Sequence, residues 1–498
     1  MIYPIEGEVY VNRASGRGGK TFFWRADRPL TEANRASVRW TVEDLSAGMP
    51  AGWSEMTLYD INQRGQAIGF ARVNGIYRGV MVTLSQRLIA VDRNRDGDLS
   101  FSDSEDETRP DKPFTFWLND DQDEAAFQTV DQLTEEDDVK PKPSSLDYKD
   151  TVVKCNRDLE DFLRIHLKAP AGFDPASRQW QMRLIFAEIK SGKPRVRIWQ
   201  AREEGLGYLE SESAATSQRE YMNSEYPLGM IHSDGEKPIL PTRAKRIFQR
   251  AEDGSWRANL LMEGAGEGEG ALTVRFYREG GLVAESKFYL RLLPMEKLYD
   301  HWTVGDTDDI PWQDIPSEAT RIGSAEIQAE EPGYIIFVHG WRLKPWERRA
   351  FAETAYKRLW HQGYKGGYGI YSWPTEYSNN PAIPPQNFNR SDRKALLSAS
   401  GLLGVLEELN QQKPKQVRLF AHSMGNVVVS EALRLGKLKA WAEGREVKPL
   451  LHTYVTSQAA VSSHSYDPSR TTLQEISDKN IPNVLFCLLE GGQRCYVS

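Results

Sequence analysis

The sequence predicts a multidomain protein in which N-terminal and middle β-rich blocks precede an α/β domain built on a mostly parallel sheet. Three observations predict it. From Val417 to Ser430 the chain reads as a short buried strand (Val417, Leu419, Phe420), a tight turn of small residues around Ser423, and a helical run through Leu435. Tyr334 to Val338 is a continuous apolar run, the pattern of a parallel strand covered on both faces. Upstream of residue 300, short strand-like runs recur between Gly, Asn and Asp turns.

Length and composition set the frame. A chain of 498 residues is too long for one ordinary domain, and two to four are expected. A hydrophobic share of 40% and a charged share of 27% suit a soluble globular protein with sizeable cores. A net charge of −7 argues against nucleic acid as the main partner. Much of the acid lies locally, between Asp92 and Asp138. No apolar run approaches about 18 residues, so no transmembrane helix is expected. Met1 to Glu8 lacks a basic region followed by an apolar core and does not read as a signal peptide. Cys155, Cys487 and Cys495 are too few and too scattered for a disulfide framework or a zinc set, and they leave the compartment open.

The first block, residues 1–140, carries strand-like runs at Thr21–Trp24, Val38–Val42, Ala67–Ala71 and Gly79–Leu84. Within it, Asp60-Ile-Asn-Gln-Arg-Gly-Gln-Ala-Ile-Gly69 resembles the HAF-type repeat of bacterial, mostly extracellular, proteins; a generic β-hairpin with an Asn-x-x-Gly turn is the plainer reading. Asp92-Arg-Asn-Arg-Asp-Gly-Asp-Leu-Ser-Phe-Ser-Asp103 then has the spacing of a calcium loop. Calcium takes six to eight oxygens. Asp92, Asn94 and Asp96 fall at loop positions 1, 3 and 5, Gly97 allows the sharp turn at 6, and the carbonyl of Asp98 falls at 7. Asp103 takes position 12, where an EF-hand has the longer glutamate, so the loop resembles dockerin-type loops more than a sensor EF-hand. A cation here would be structural, and a solvated acidic turn is the alternative. The acidic cluster Asn119–Glu124 would add oxygens or lie in an exposed loop.

Thr134 to Leu146 is charged, proline-bearing and without periodicity, and reads as a linker. The second block, residues 146–300, alternates apolar and polar residues at Asp161–Leu167, Trp180–Phe186, Val196–Trp199, Leu272–Tyr277 and Val283–Leu292. That pattern predicts half-buried antiparallel strands in a β-sandwich, with turns at Gly254 and Gly264–Gly270. No chemistry is legible there; the β domains would serve packing or a protein partner. Trp302 to Ala329 reads as a polar connector.

The third block, residues 325–498, carries the chemistry. A strand, a turn centred on serine and a helix form the context of a nucleophile elbow, which lifts a serine hydroxyl above a sheet on a strained backbone. Strand and helix pack closely there, so the flanking positions need small residues; Gly425 meets the need and Ala421 replaces the usual first glycine. The helix beginning at Met424 points its positive dipole end at the reacting centre. Around the elbow, Trp346–Trp360 predicts a helix with Phe351, Ala355 and Leu359 on one face. Tyr368–Trp373 predicts a strand, and Tyr377–Asn389 a lid or wall over the site. A helix capped by Ser391 follows over Asp392–Asn410, with a stripe of Leu396, Ala399, Leu403 and Leu406. Leu451–Ser457 and Asn483–Leu489 predict two further strands.

With Gly333-Tyr-Ile-Ile-Phe-Val-His-Gly-Trp341, these residues resemble the α/β-hydrolase superfamily, its lipase and esterase branch in particular. The resemblance implies that the loop after the His339-Gly340 pair donates one oxyanion-hole amide. The donors would be the backbone N–H groups of Trp341 and Met424, with Ser423 the nucleophile and His339 structural. In that superfamily the order is serine, acid, histidine. Asp467, Asp478 and Glu490 are the candidate acids, yet the last histidine, His464, precedes all of them. Three readings stay open: a C-terminus truncated or altered, His464 serving as an out-of-order base, or a catalytically dead domain. His422, beside the nucleophile, is not placed as base.

The leading expectation is a serine hydrolase acting on an ester or lipid-like small molecule, with no catalytic cofactor and with Ca²⁺ as a structural ion. The alternative is a non-catalytic, calcium-binding envelope or adhesion protein carrying a degenerate hydrolase domain. The compartment stays open between the cytoplasm and the extracellular or cell-envelope setting to which the HAF-type and dockerin-type resemblances point.

Overall fold

The structure is a computed structural model. It describes residues 87–119, 159–201, 222–305, 310–376, 384–412 and 416–461, apart from residues 102, 104, 171, 236 and 240. It also describes short strands among the first 83 residues and the paired strands Gln128–Thr129 and Val152–Val153. The chain divides into two units: residues 1–119 with 161–293, and residues 120–160 with 294–498.

Among its described residues the first unit is β structure apart from the short helix Pro241–Ile247. Near its start, Trp53–Ile61, Gln66–Val73 and Ile76–Thr83 form an antiparallel meander. Its second turn is Asn74-Gly75, both at positive φ (50° and 83°), the conformation that matches a two-residue hairpin to strand twist. The main sheet has nine strands. At its centre the long strands Trp180–Ala201 and Trp256–Arg278 pair antiparallel. Around them lie Gly281–Leu293, Leu163–Lys168 and Met222–Ile231. Phe114–Trp117 pairs parallel with Gly281–Leu293, and Ile89–Ala90 pairs with Leu163–Lys168.

Two expectations change here. The runs at Trp180–Phe186 and Val196–Trp199 are ends of one strand, bulged between Ala187 and Val196. Gly264–Gly270, expected as a turn, lies inside the partner strand. The glycines are there for room rather than for turning. A Cβ on Gly264 would run into the carbonyl of Trp117, and one on Gly268, at φ 152°, would lie 2.6 Å from the carbonyl of Ser191.

The second unit holds a six-stranded sheet whose strands are β1 (Asp300–Thr303), β2 (Thr320–Gly323), β3 (Tyr334–Val338), β4 (Gly367–Ser372), β5 (Val417–His422) and β6 (Thr453–Ser457). The order across it is β2-β1-β4-β3-β5-β6. Only the β1–β2 pair is antiparallel. β2 and the second half of β1 fall in the stretch expected to be a polar connector. Their polar residues are used: Tyr334 donates to Asp300 at 2.5 Å, the N–H of Ala325 donates to the same carboxylate at 2.9 Å, and Arg321 pairs with it.

Three helices cross between the parallel strands: α1 (Pro345–His361), α2 (Pro384–Gln412) and α3 (Gly425–Ala442). Alternate side chains of β3 explain its unbroken apolar run. Tyr334, Ile336 and Val338 join the core built with α2 and α3. Phe337 stacks on Phe351 of α1 at 5.3 Å, on the opposite face. Proline at N1 and Glu347, whose carboxylate accepts the N–H of Lys344 at 2.6 Å, start α1.

The buried face of α1 is Ala352, Tyr356 and Trp360, one residue on from the expected stripe, and Phe351 is 45% exposed. Polar Glu353 and Lys357 sit on that buried side, which hid the stripe from a hydrophobicity reading. α2 begins at Pro384 rather than after Ser391, since the first turn of a helix needs no N–H from proline. Ser391 lies within the helix, where its hydroxyl accepts the N–H of Glu376 at 2.8 Å instead of capping. Its stripe keeps Ala399, Leu403 and Leu406, but Leu396 is exposed and Ala395 and Leu402 take the core. No helix of the described residues is long and apolar enough to cross a membrane.

Candidate functional site

Ser423 occupies the turn between β5 and α3 at φ +49°. A non-glycine residue in that region is strained by about 1–3 kcal/mol and persists only where its surroundings hold it. Hydrogen bonds hold it from both sides. Its N–H donates to the carbonyl of Ser457 at 2.8 Å, at the end of β6, and its carbonyl accepts from Ala460 and Asn426, each at 3.1 Å.

The β3 side closes on the same turn. A Cβ on Gly340 would lie 3.1 Å from the Cβ of Ser423 and 2.7 Å from His422 Nδ1, and one on Gly425 would lie 2.5 Å from the carbonyl of His339. Both glycines are therefore required by close approach, and Trp341 follows directly on the residue that touches Ser423. Among the described residues, neither the N–H of Trp341 nor that of Met424 has a hydrogen-bond acceptor. The dipole of the 18-residue helix α3 begins at Met424 and Gly425.

His339 is fully buried and stacks on Trp373 at 5.4 Å. Its Nε2 accepts the Trp373 N–H at 3.1 Å, so Nδ1 carries the proton and donates to the carbonyl of Gly340 at 2.8 Å. Burial drives its pKa well below the usual histidine value, with Arg348 adding to the effect. The ring, with its pKa lowered by burial, is thereby held onto the Gly340 peptide. His422 turns its Nε2 to Gln458 Oε1 at 3.1 Å and stacks on Phe351 at 5.5 Å. Gln458 is itself at φ +44°.

The expected residues thus divide. Ser423, Trp341 and Met424 come together at the β3–β5–α3 junction. His464, Asp467, Asp478 and Glu490, with the strand expected at 483–489, lie outside the described residues. Asn426 and Tyr454 were not singled out from sequence. The available signal was a polar residue three positions after Ser423, just before the apolar run Val427–Val429.

The acidic loop belongs to the first unit. Gly97 has φ +89°. Asp92 accepts the N–H groups of Asp96 at 3.0 Å and Gly97 at 2.9 Å, and Asp96 accepts that of Asp98 at 2.9 Å. The amide of Asn94 donates to Asp96 at 2.9 Å and to Asp103 at 3.2 Å. Asp106, wholly buried beneath it, accepts from the N–H groups of Arg93 and Asn94, and burial pushes its carboxyl up to about 7. Among the described residues, no three His, Cys, Asp or Glu side chains gather as a metal set. Asp92, Asp96 and Asp103 are linked through Asn94 and the loop backbone.

Residues 317–459 match the family described as alpha/beta hydrolase of unknown function (DUF900). The matched stretch runs from just before β2 to the end of the turn after β6 and includes Trp341, Ser423 and Met424. The C-terminal part of the chain is thus α/β-hydrolase-like over the matched residues. No curated protein matches the chain.

Proposed function

We propose that this α/β-hydrolase domain is a serine hydrolase acting on carboxylic esters, with Ser423 as nucleophile. The observation that carries the reading is the strained Ser423 backbone packed against Gly340 beside two backbone N–H groups, those of Trp341 and Met424, that meet no acceptor among the described residues. An acyl carbonyl held over the turn would meet the serine hydroxyl on one side. Its oxygen would receive both N–H groups as charge develops on it, the kind of preorganised donor pair that lowers such barriers most. Attack forms the acyl-enzyme, and water then releases the acid.

His464 is the proposed base and Asp467 the proposed acid. Ester over amide rests on the lipase-like motifs alone. The test is turnover of p-nitrophenyl acyl esters. Ser423→Ala should abolish it, and His464→Ala should lower it by a factor of about 10³ or more. Turnover that survives Ser423→Ala would refute the nucleophile. A folded wild type without turnover or covalent labelling would favour the alternative, a non-catalytic envelope or adhesion protein.

We also propose a structural Ca²⁺ on Asp92, Asn94, Asp96, the carbonyl of Asp98, and Asp103. The support is a loop already wound with its carboxylates on the inner backbone N–H groups and Asn94 between Asp96 and Asp103.

A further inference from the structure

Asn426 lies on the first turn of α3 and is completely buried. Its side-chain nitrogen donates to the carbonyl of Ser423 at 2.9 Å and to that of Ala421 at 3.2 Å, and it approaches the carbonyl of Ser457 at 3.5 Å. On the other side, Tyr454 of β6 donates its hydroxyl to Asn426 Oδ1 at 2.7 Å. These partners fix which end of the amide is which: carbonyl oxygens can only accept, so they need the NH₂, and the oxygen is left to meet the tyrosine. One buried side chain therefore ties the end of β5, the turn residue and the end of β6 together.

The consequence follows from the peptide bond. The carbonyl of Ser423 and the N–H of Met424 belong to one planar trans unit and point in opposite directions. Whatever holds that carbonyl inward aims that N–H outward. We infer that Asn426, oriented by Tyr454, is a positioning residue that sets the Met424 amide as an oxyanion donor. The inference rests on the serine-hydrolase reading above and adds a device to it. Neither Asn426 nor Tyr454 is asked to touch substrate. Removing the clamp leaves the Ser423 carbonyl on the backbone N–H groups of Ala460 and Asn426 alone, each at 3.1 Å, and so loosens the Ser423–Met424 plane at a turn whose φ of +49° favours relaxation.

The test compares ester turnover and fluorophosphonate labelling in wild type, Asn426→Ala, Asn426→Asp and Tyr454→Phe. Removal of one oxyanion donor costs about 10²–10³ in kcat. Asn426→Ala should approach the lower figure while KM stays within about threefold of wild type. Asn426→Asp keeps the shape but cannot donate to carbonyls, so it should be no better than alanine. A role in packing alone would leave it near wild type. Tyr454→Phe keeps the packing and loses only the orienting hydroxyl, so it guards against variants that fail to fold. It should lower kcat about three- to tenfold at unchanged KM. Wild-type kcat in both Tyr454→Phe and a folded Asn426 variant would overturn the inference while leaving the nucleophile intact. No labelling of wild type at Ser423 would overturn both.

Discussion

The carbonyl oxygen of His339, at the end of β3, lies where a side chain on Gly425 would be, 2.5 Å from the position of its missing Cβ. Strand and helix are that close because α3 starts directly over the sheet. Neither backbone can give way cheaply, so Gly425→Ala is expected to cost about 1–3 kcal/mol of stability and to lower ester turnover as the turn opens. Gly340→Ala should behave differently. Its new methyl group would press on the half-exposed His422 ring and on Ser423 itself, so turnover should fall with a smaller drop in melting temperature. Thermal melts and turnover of both variants check the pair.

A second prediction concerns acid. His339 stays neutral in the folded protein well below the pH at which a free histidine protonates. As pH falls through about 6.5 the unfolded chain takes up a proton that the folded chain refuses, so stability drops on the acid side and is retained above that value. His339→Gln removes the titration. The slope of melting temperature against pH between 7 and 5 should be shallower in the variant than in wild type. Parallel slopes would count against the buried neutral ring.

Calcium offers a third. Addition of Ca²⁺ to chelator-treated protein should raise the melting temperature, and the rise should vanish in Asp92→Ala with Asp96→Ala. Equal melting curves with and without chelator would remove the ion.

How legible this was depended on whether a residue's job matched its habit. β3 and β5 could be read because burial on both faces leaves an unbroken apolar signature, and the turn at Ser423 could be read because close packing demands small residues on either side of it. Gly264–Gly270 could not. Glycine usually marks a turn, whereas here it makes room inside a strand for the Trp117 and Ser191 carbonyls. β1 and β2 were hidden because Asp300 and Arg321 look like surface residues, although Asp300 is 7% exposed and holds Tyr334. The core face of α1 was misread by one position because Phe351 serves an aromatic stack with Phe337 and His422 rather than the core. Within the site, apolar periodicity could not reveal Asn426, whose worth lies in the carbonyls it meets across three elements.

Gly264→Val tests the reading of the β-rich sheet. The added side chain has only the Trp117 carbonyl and the Leu118 backbone to meet, and Gly264 also accepts the N–H of Asn119 at 3.0 Å. A loss of about 1–3 kcal/mol is expected, seen as an earlier unfolding transition by calorimetry. A neutral outcome would mean that the two strands can separate there without cost.

The most direct measurement is mass spectrometry of the intact protein after treatment with a fluorophosphonate, followed by peptide mapping. One covalent adduct on Ser423, absent in Ser423→Ala, is the expected result. A folded wild type that takes up no adduct, or takes it at another residue, would contradict the assignment of Ser423 as the nucleophile.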